Sequence, residues 1–264
     1  MGAIRSNGQH GGGLTVRRSL KITGIVLGIA VALIVAAILV VPPILTKGPM
    51  PEALAAMEST ATVTVIDDRP ITFTPTTAAS RGIIVYPGAF VEPRSYAPAA
   101  HALADDGVFV AIVPMPLSLA ILGSNRADSV IEDHPEITDW VIAGHSLGGV
   151  MAARYTSNHP DAIVGLALWA SYPEDGVDLS SWDGETTSIF GTLDGLTKVD
   201  DIEDSRGRLP GATRFVAIEG GNHAYFGWYG DQRGDNPATI TREDQQRIII
   251  DATATVVGAL VEPG

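Results

Sequence analysis

The stretch Trp140-Val141-Ile142-Ala143-Gly144-His145-Ser146-Leu147-Gly148-Gly149 begins as a short apolar run and closes on paired glycines. The apolar run has the length of a buried strand, and residues 147–158 carry the spacing of a helix with one packed face. Between them, Gly144, Ser146 and Gly148 fit G-x-S-x-G, the pattern of a sharp strand-to-helix turn that holds a serine strained and exposed. Residues two positions either side of that serine must lack bulk, as both glycines do. Ser146 also falls at a helix N-terminus, where free N–H groups favour developing negative charge. A solvated serine in a Gly-rich turn would fit the motif alone; the strand before it and the helix after it favour a nucleophile.

Outward from this turn the chain alternates. Residues 61–66 and 71–74 suggest a starting hairpin around Asp67-Asp68-Arg69-Pro70, with Pro75 ending its second arm. An apolar strand is expected at 82–86 before Pro87, then an Ala-rich helix over 95–105 with Pro98 in its tolerant first turn. Residues 108–113 read as a strand, and a helix is expected from 117 to about 132, with Pro116 at its start and Gly123 weakening its middle. Further strands fall at 163–169, 188–192 and 214–219, and a closing helix runs from 242 to about 260. Strands separated by helical stretches mean parallel βαβ units. The fold class is therefore α/β, one doubly wound, mostly parallel sheet, which binds ligands beyond the C-terminal ends of its strands.

The 264 residues include no Cys, which excludes a disulfide-stapled mini-protein, a thiolate metal site, a cysteine nucleophile and a Cys-linked lipid anchor. The net charge of −13 is unevenly spread: residues 1–50 hold Arg5, Arg17, Arg18, Lys21 and Lys47 and no acid. The acidic remainder repels phosphate backbones, so nucleic-acid binding by the main domain is not expected. Residues 22–41 form an uncharged apolar stretch of 20 residues, about 30 Å long as a helix, which matches a bilayer's hydrocarbon core. Arg17, Arg18 and Lys21 precede it and hold the N-terminus in the cytoplasm by the positive-inside rule. A cleaved signal, which would leave a secreted domain, has a shorter apolar region and a small-residue cleavage site; Pro42 and Pro43 follow this one instead. The expected organisation is a cytoplasmic basic tail (1–21), a transmembrane anchor (22–41), a linker (42–60) and an extracytoplasmic catalytic domain (61–264) with no large cap.

A serine hydroxyl needs a base, and the base an orienting acid, in chain order Ser, Asp or Glu, His. His159 and His223 are the histidines after Ser146. His159 sits at the far end of the helix that Ser146 opens, roughly 18 Å along it, too distant to act. His223, in Gly220-Gly221-Asn222-His223 after the last strand, is the candidate base. Asp194 follows the penultimate strand and is the candidate acid; Asp200, Asp201, Glu203 and Asp204 read as a solvated helical face, and Glu219 as a structural partner in its strand. The oxyanion needs two N–H donors. Leu147 supplies one, and Ala89 in Pro87-Gly88-Ala89-Phe90 the other, with Phe90 as fallback.

These residues resemble the α/β-hydrolase superfamily, especially its dienelactone-hydrolase-like and small cutinase-like branches, over about residues 80–260. The Pro87-Gly88-Ala89 loop, Gly144-His145-Ser146-Leu147-Gly148-Gly149, Gly191-Thr192-Leu193-Asp194-Gly195 and Gly220-Gly221-Asn222-His223 fall in family order. Dienelactone hydrolases carry Cys at the position of Ser146, so that activity is not implied, and Tyr86-Pro87-Gly88 replaces the His-Gly pair common in the superfamily. The resemblance implies ester hydrolysis through an acyl-enzyme, with no metal or organic cofactor and a small or lipid-like ester as substrate. Phe90, Met115, Tyr225, Phe226, Trp228 and Tyr229 are candidates for an apolar substrate wall. The Arg233-Gly234-Asp235 tripeptide reads as a polar turn. An acyltransferase or perhydrolase would use the same triad, and an inactive envelope binding module would keep the fold alone.

Overall fold

The computed structural model describes residues 44–258. The expected tail and anchor, residues 1–41, and the last six residues lie outside the described ones. Among the described residues no helix is long and apolar enough to cross a membrane.

Eight strands form one sheet in the order β1-β2-β4-β3-β5-β6-β7-β8. The hairpin β1 (Val63–Asp67) and β2 (Ile71–Pro75) lies antiparallel at one edge, and β2 pairs antiparallel with β4 (Phe109–Ile112). The rest is parallel: β4 with β3 (Arg81–Tyr86), then β5 (Asp139–His145), β6 (Gly165–Trp169), β7 (Glu185–Gly191) and β8 (Arg214–Ile218). Helices cover both faces. On one lie α2 (Ala97–Asp105) and α6 (Arg242–Gly258), on the other α3 (Ala127–Asp133) and α4 (Leu147–Asn158); α1 (Pro51–Ala55) precedes the sheet and α5 (Val199–Ser205) links β7 to β8.

The period-two geometry of strands divides the core in two. Ile83, Val85, Val141, Ala143, Ala167 and Trp169 point to the α2/α6 face, whereas Ile84, Tyr86, Trp140, Ile142, Leu166 and Leu168 point to the α3/α4 face. Apolar side chains on both faces are what a central parallel strand requires, and they explain the unbroken hydrophobic runs in the sequence.

Two expectations need correcting. The helix expected over 117–132 is instead two short 3-10 turns, Pro116–Ser118 and Ala120–Leu122, followed by α3. Leu117 and Ser118 sit in the left-handed region (φ 53° and 58°), which no α-helix admits, and the Ser118 carbonyl accepts the Phe90 N–H at 2.9 Å. A tertiary hydrogen bond there outcompetes local helix propensity. The stretch expected as a linker is also partly built into the domain. Lys47 bridges Val91, Pro49 bridges Tyr229, and Ala53 of α1 is fully buried, so the compact unit begins at Thr46 rather than at residue 61. Between β6 and β7 no helix and no inserted cap intervenes.

The register places the C-terminal ends of neighbouring strands together. Tyr86 pairs with Gly144 and Gly191 with Ile218, so the loops after β3 and β5 emerge side by side, as do those after β7 and β8. One polar tie fixes α6 to the middle of the sheet: the buried Trp169 Nε1 donates to Thr253 Oγ1 at 3.0 Å. Replacing Thr253 by Val removes that acceptor at nearly constant shape and strands a buried donor. Urea unfolding of Thr253→Val is expected to show a loss of about 1–3 kcal/mol against wild type.

Candidate active site

The turn between β5 and α4 holds Ser146 at φ 52°, ψ −124°, the strained conformation the motif demands. Close backbone approach explains the glycines. A Cβ on Gly148 would lie 2.1 Å from the Tyr86 carbonyl oxygen, and one on Gly144 would lie 2.5 Å from the Gly148 carbonyl. The Ser146 N–H donates to the Trp169 carbonyl at 3.0 Å, and its own carbonyl accepts from Gly149 N–H (2.9 Å) and from Ser171 Oγ (2.8 Å). The strained residue is thus held from β6 and from its own helix.

Asp194 and His223 meet. His223 Nδ1 lies 2.8 Å from Asp194 Oδ2, and neither side chain has any solvent exposure. The other Asp194 oxygen accepts the N–H groups of Leu196 (2.8 Å) and Thr197 (2.7 Å), which fixes the carboxylate's orientation. His223 Nε2 is buried and has no hydrogen-bond partner, so the Ser146 hydroxyl is not bonded to it in this structure. The His223 ring packs against that of His145, the neighbour of Ser146, with centroids 4.6 Å apart.

The other expected residues are placed as follows. The Phe90 N–H is engaged by Ser118, which removes the fallback oxyanion donor. Ala89 and Leu147 are both half-buried, and neither N–H makes a hydrogen bond among the described residues. Phe90 and Met115 are half-buried. Tyr225 instead carries the Arg242 guanidinium 4.1 Å above its ring and lines a cleft of about 250 Å³ that does not include Ser146. Phe226 and Tyr229 are fully buried, Phe226 stacked on His145 at an interplanar angle of 7°, and Trp228 is also buried. Phe226 and Tyr229 pack against the His145 ring, and none of the three forms an open wall. His159 stacks on Tyr155 at the far end of α4, and Glu219 is exposed. Among the described residues no group of three or more His, Asp or Glu is placed to hold a metal ion.

Tyr96 and His145 are among the residues whose part here the sequence does not show. Tyr96 Oη accepts the Gly88 N–H at 2.9 Å and lies 2.8 Å from His145 Nδ1. Burial raises the Tyr96 phenol far above its ordinary value, so it keeps its proton beside His145. Burial, and then the neighbouring His223, push His145 well below the ordinary histidine value; a backbone contact with His223 opposes them. His145 is therefore neutral. A Cβ on Gly88 would lie 2.7 Å from His145 Nδ1, so that glycine serves close approach to this pair. The signal in the sequence was a histidine at the end of a fully apolar strand, which must find a partner.

The chain belongs to the alpha/beta hydrolase family, whose model matches residues 82–247. Among solved structures it is similar to a predicted CIB-like hydrolase from Thermoplasma acidophilum, with 14% identity, a TM-score of 0.58, and 73% of this chain and 99% of that one covered. It is also similar to Est1E from Butyrivibrio proteoclasticus (11% identity, TM-score 0.53, 75% and 100% covered) and to the ferulic acid-bound form of Est1E (12%, 0.54, 74% and 96%). At these identities the likeness is one of fold. No curated protein matches the chain.

The neutral, buried His145 has a pH consequence. Its folded value is depressed, so the unfolded chain takes up a proton, near pH 6.5, that the folded chain refuses. The stabilisation is present above that pH and is lost as pH falls below it. Between pH 7.5 and 5.0, urea unfolding of wild type should lose about 1–2 kcal/mol more than that of His145→Gln. Equal losses would show that His145 is protonated in the fold.

Proposed function

We propose that the chain is a serine hydrolase that cleaves carboxylic esters through an acyl-enzyme. In this reading Ser146 attacks the ester carbonyl, and His223 takes its proton and returns it to the leaving alcohol. Asp194 orients His223 and stabilises the imidazolium, and the Leu147 and Ala89 N–H groups receive the oxyanion. The observation that carries the proposal is the buried Asp194–His223 hydrogen bond, which leaves Nε2 without a partner. A carboxylate on Nδ1 selects the tautomer whose Nε2 lone pair accepts a proton. His145 Nε2 is also buried and unpaired, so what singles out His223 is the carboxylate on its Nδ1. Such nucleophile–base bonds often tighten only when substrate is bound. The strain at Ser146 supports the same reading, since strained residues cluster where side chains must be aimed at a ligand.

From sequence alone, the companion proposal is that residues 22–41 anchor the protein, with the catalytic domain outside the cytoplasm and a small or lipid-like ester as substrate. For the chemistry, Ser146→Ala is expected to lower kcat/KM on p-nitrophenyl butyrate by about 10³-fold or more, with an unchanged circular dichroism spectrum. A fluorophosphonate probe should label wild type and not the variant. Retained turnover in Ser146→Ala overturns the assignment. Product analysis with added alcohol or peroxide separates hydrolysis from acyl transfer and perhydrolysis.

A further inference from the structure

The tripeptide Arg233-Gly234-Asp235 looks like an ordinary surface turn, and its backbone begins as one: Gly234 has φ 93° and the Asp235 N–H donates to the Gln232 carbonyl at 3.1 Å. Its carboxylate, however, points inward. Oδ1 accepts the N–H of Gly195 at 3.1 Å, of His223 at 3.2 Å and of Asn236 at 2.9 Å, while Oδ2 accepts the N–H of Ala224 at 2.8 Å. Gly195 directly follows Asp194, and the other two long-range donors are His223 itself and its neighbour. One side chain thus holds both loops that carry the Asp194–His223 pair.

The contact is close packed as well as hydrogen bonded. A Cβ on Gly195 would lie 2.4 Å from the Gly234 carbonyl oxygen and 3.0 Å from the Asp235 Cα, so the 234–236 turn rests directly on the acid turn. Asn222 Nδ2 adds a bond to the Asn236 carbonyl at 2.8 Å. On the strand side the two loops are already joined, by Leu193 N–H to the Gly221 carbonyl and by Gly220 N–H to Thr192 Oγ1, both at 2.9 Å. Those bonds lie before Asp194 and before His223. Asp235 closes the other side, between Gly195 and residues 223–224. With both ends tied, the Nδ1–Oδ2 separation is set by the frame rather than by the pair alone. Bonds to an ionised acceptor are roughly twice as strong as neutral ones, which suits a carboxylate to this task.

We infer that Asp235 is a positioning residue for catalysis, a carboxylate clamp that fixes the acid loop and the histidine loop so that Asp194 orients His223. The inference rests on the hydrolytic reading of Ser146, Asp194 and His223. Asp235 itself touches no reacting atom. Its removal should therefore act on the transition state through His223 and leave ground-state substrate binding alone.

The test uses the full chain in detergent, with wild type, Asp235→Ala and Asp235→Asn. The first readout needs no substrate: the slowly exchanging downfield proton on His223 Nδ1 in proton NMR, assigned by its loss in His223→Gln. It should be present in wild type and lost or broadened by exchange in Asp235→Ala. On p-nitrophenyl butyrate, kcat should fall by about tenfold or more with KM changed less than about twofold. Asp235→Asn keeps one carbonyl oxygen for the shared donors and should recover part of both readouts. A folded Asp235→Ala with an intact resonance and unchanged kcat overturns the clamp. If that variant does not fold, Asp235→Asn decides: wild-type resonance and kcat overturn the clamp, and reduced ones support it. If wild type shows no ester turnover, or Ser146→Ala retains it, the hydrolytic reading fails, while the resonance still reports on whether Asp235 orders the pair.

Discussion

The close approach of two backbones at the end of the sheet is the constraint on which the rest depends. Gly148, at the start of α4, sits where any Cβ would overlap the Tyr86 carbonyl, and Gly144 sits where any Cβ would overlap Gly148. That contact brings the nucleophile turn against the loop after β3, and so brings the Leu147 and Ala89 N–H groups to the same strand ends. It also fixes the strain at Ser146: with the strand entering and the helix leaving at so short a distance, the residue between them has no relaxed conformation available. A bulkier side chain at either glycine would relieve that strain by separating the two loops, and the site would be lost along with it.

Behind the turn, the polar groups follow from burial. His145 and His223 are both fully buried, in ring contact, and two adjacent imidazoliums there would repel. The structure separates their roles by their partners. His223 has a carboxylate on Nδ1, whereas His145 has a phenol hydroxyl on Nδ1 and remains neutral. Tyr96 links that neutral ring to Gly88, so the loop holding Ala89 is tied to the same cluster that backs the candidate base. Phe226 and Tyr229 seal it, which is why these aromatics are core rather than wall.

The sheet was legible because β3, β4 and β5 carry apolar runs closed by Gly or Pro, and the pattern survives whatever packs on it. The Ser146 turn was legible because steric need leaves glycines at fixed spacing, and the meeting of Asp194 with His223 followed from their places after β7 and β8. What stayed hidden depends on long-range contacts. Residues 116–122 have helical composition, yet two of them, Leu117 and Ser118, sit in the left-handed region where Ser118 accepts the Phe90 N–H. Asp235 lies 40 residues from Gly195, and its turn sequence says nothing of where the carboxylate points. His145 was read only as the variable position of a motif, although its burial in an apolar strand required a partner.

The segment entering the domain shows how far such contacts reach. Residues 47–50 have the Gly-Pro composition of a spacer, and nothing local gives them a fixed path. Yet Lys47 N–H donates to the Phe90 carbonyl at 2.7 Å, its carbonyl accepts from Glu92 at 3.0 Å, and Met50 N–H donates to the Trp228 carbonyl at 2.8 Å. One end of the segment is thereby bound to the loop that carries Ala89, and the other to the loop that follows His223. These loops are also tied elsewhere, the first by Tyr96 to Gly88 and the second by Asp235 to His223 and Ala224. A strand-like segment bonded to both links the Ala89 loop to the loop after His223 through residues that precede the fold's first strand.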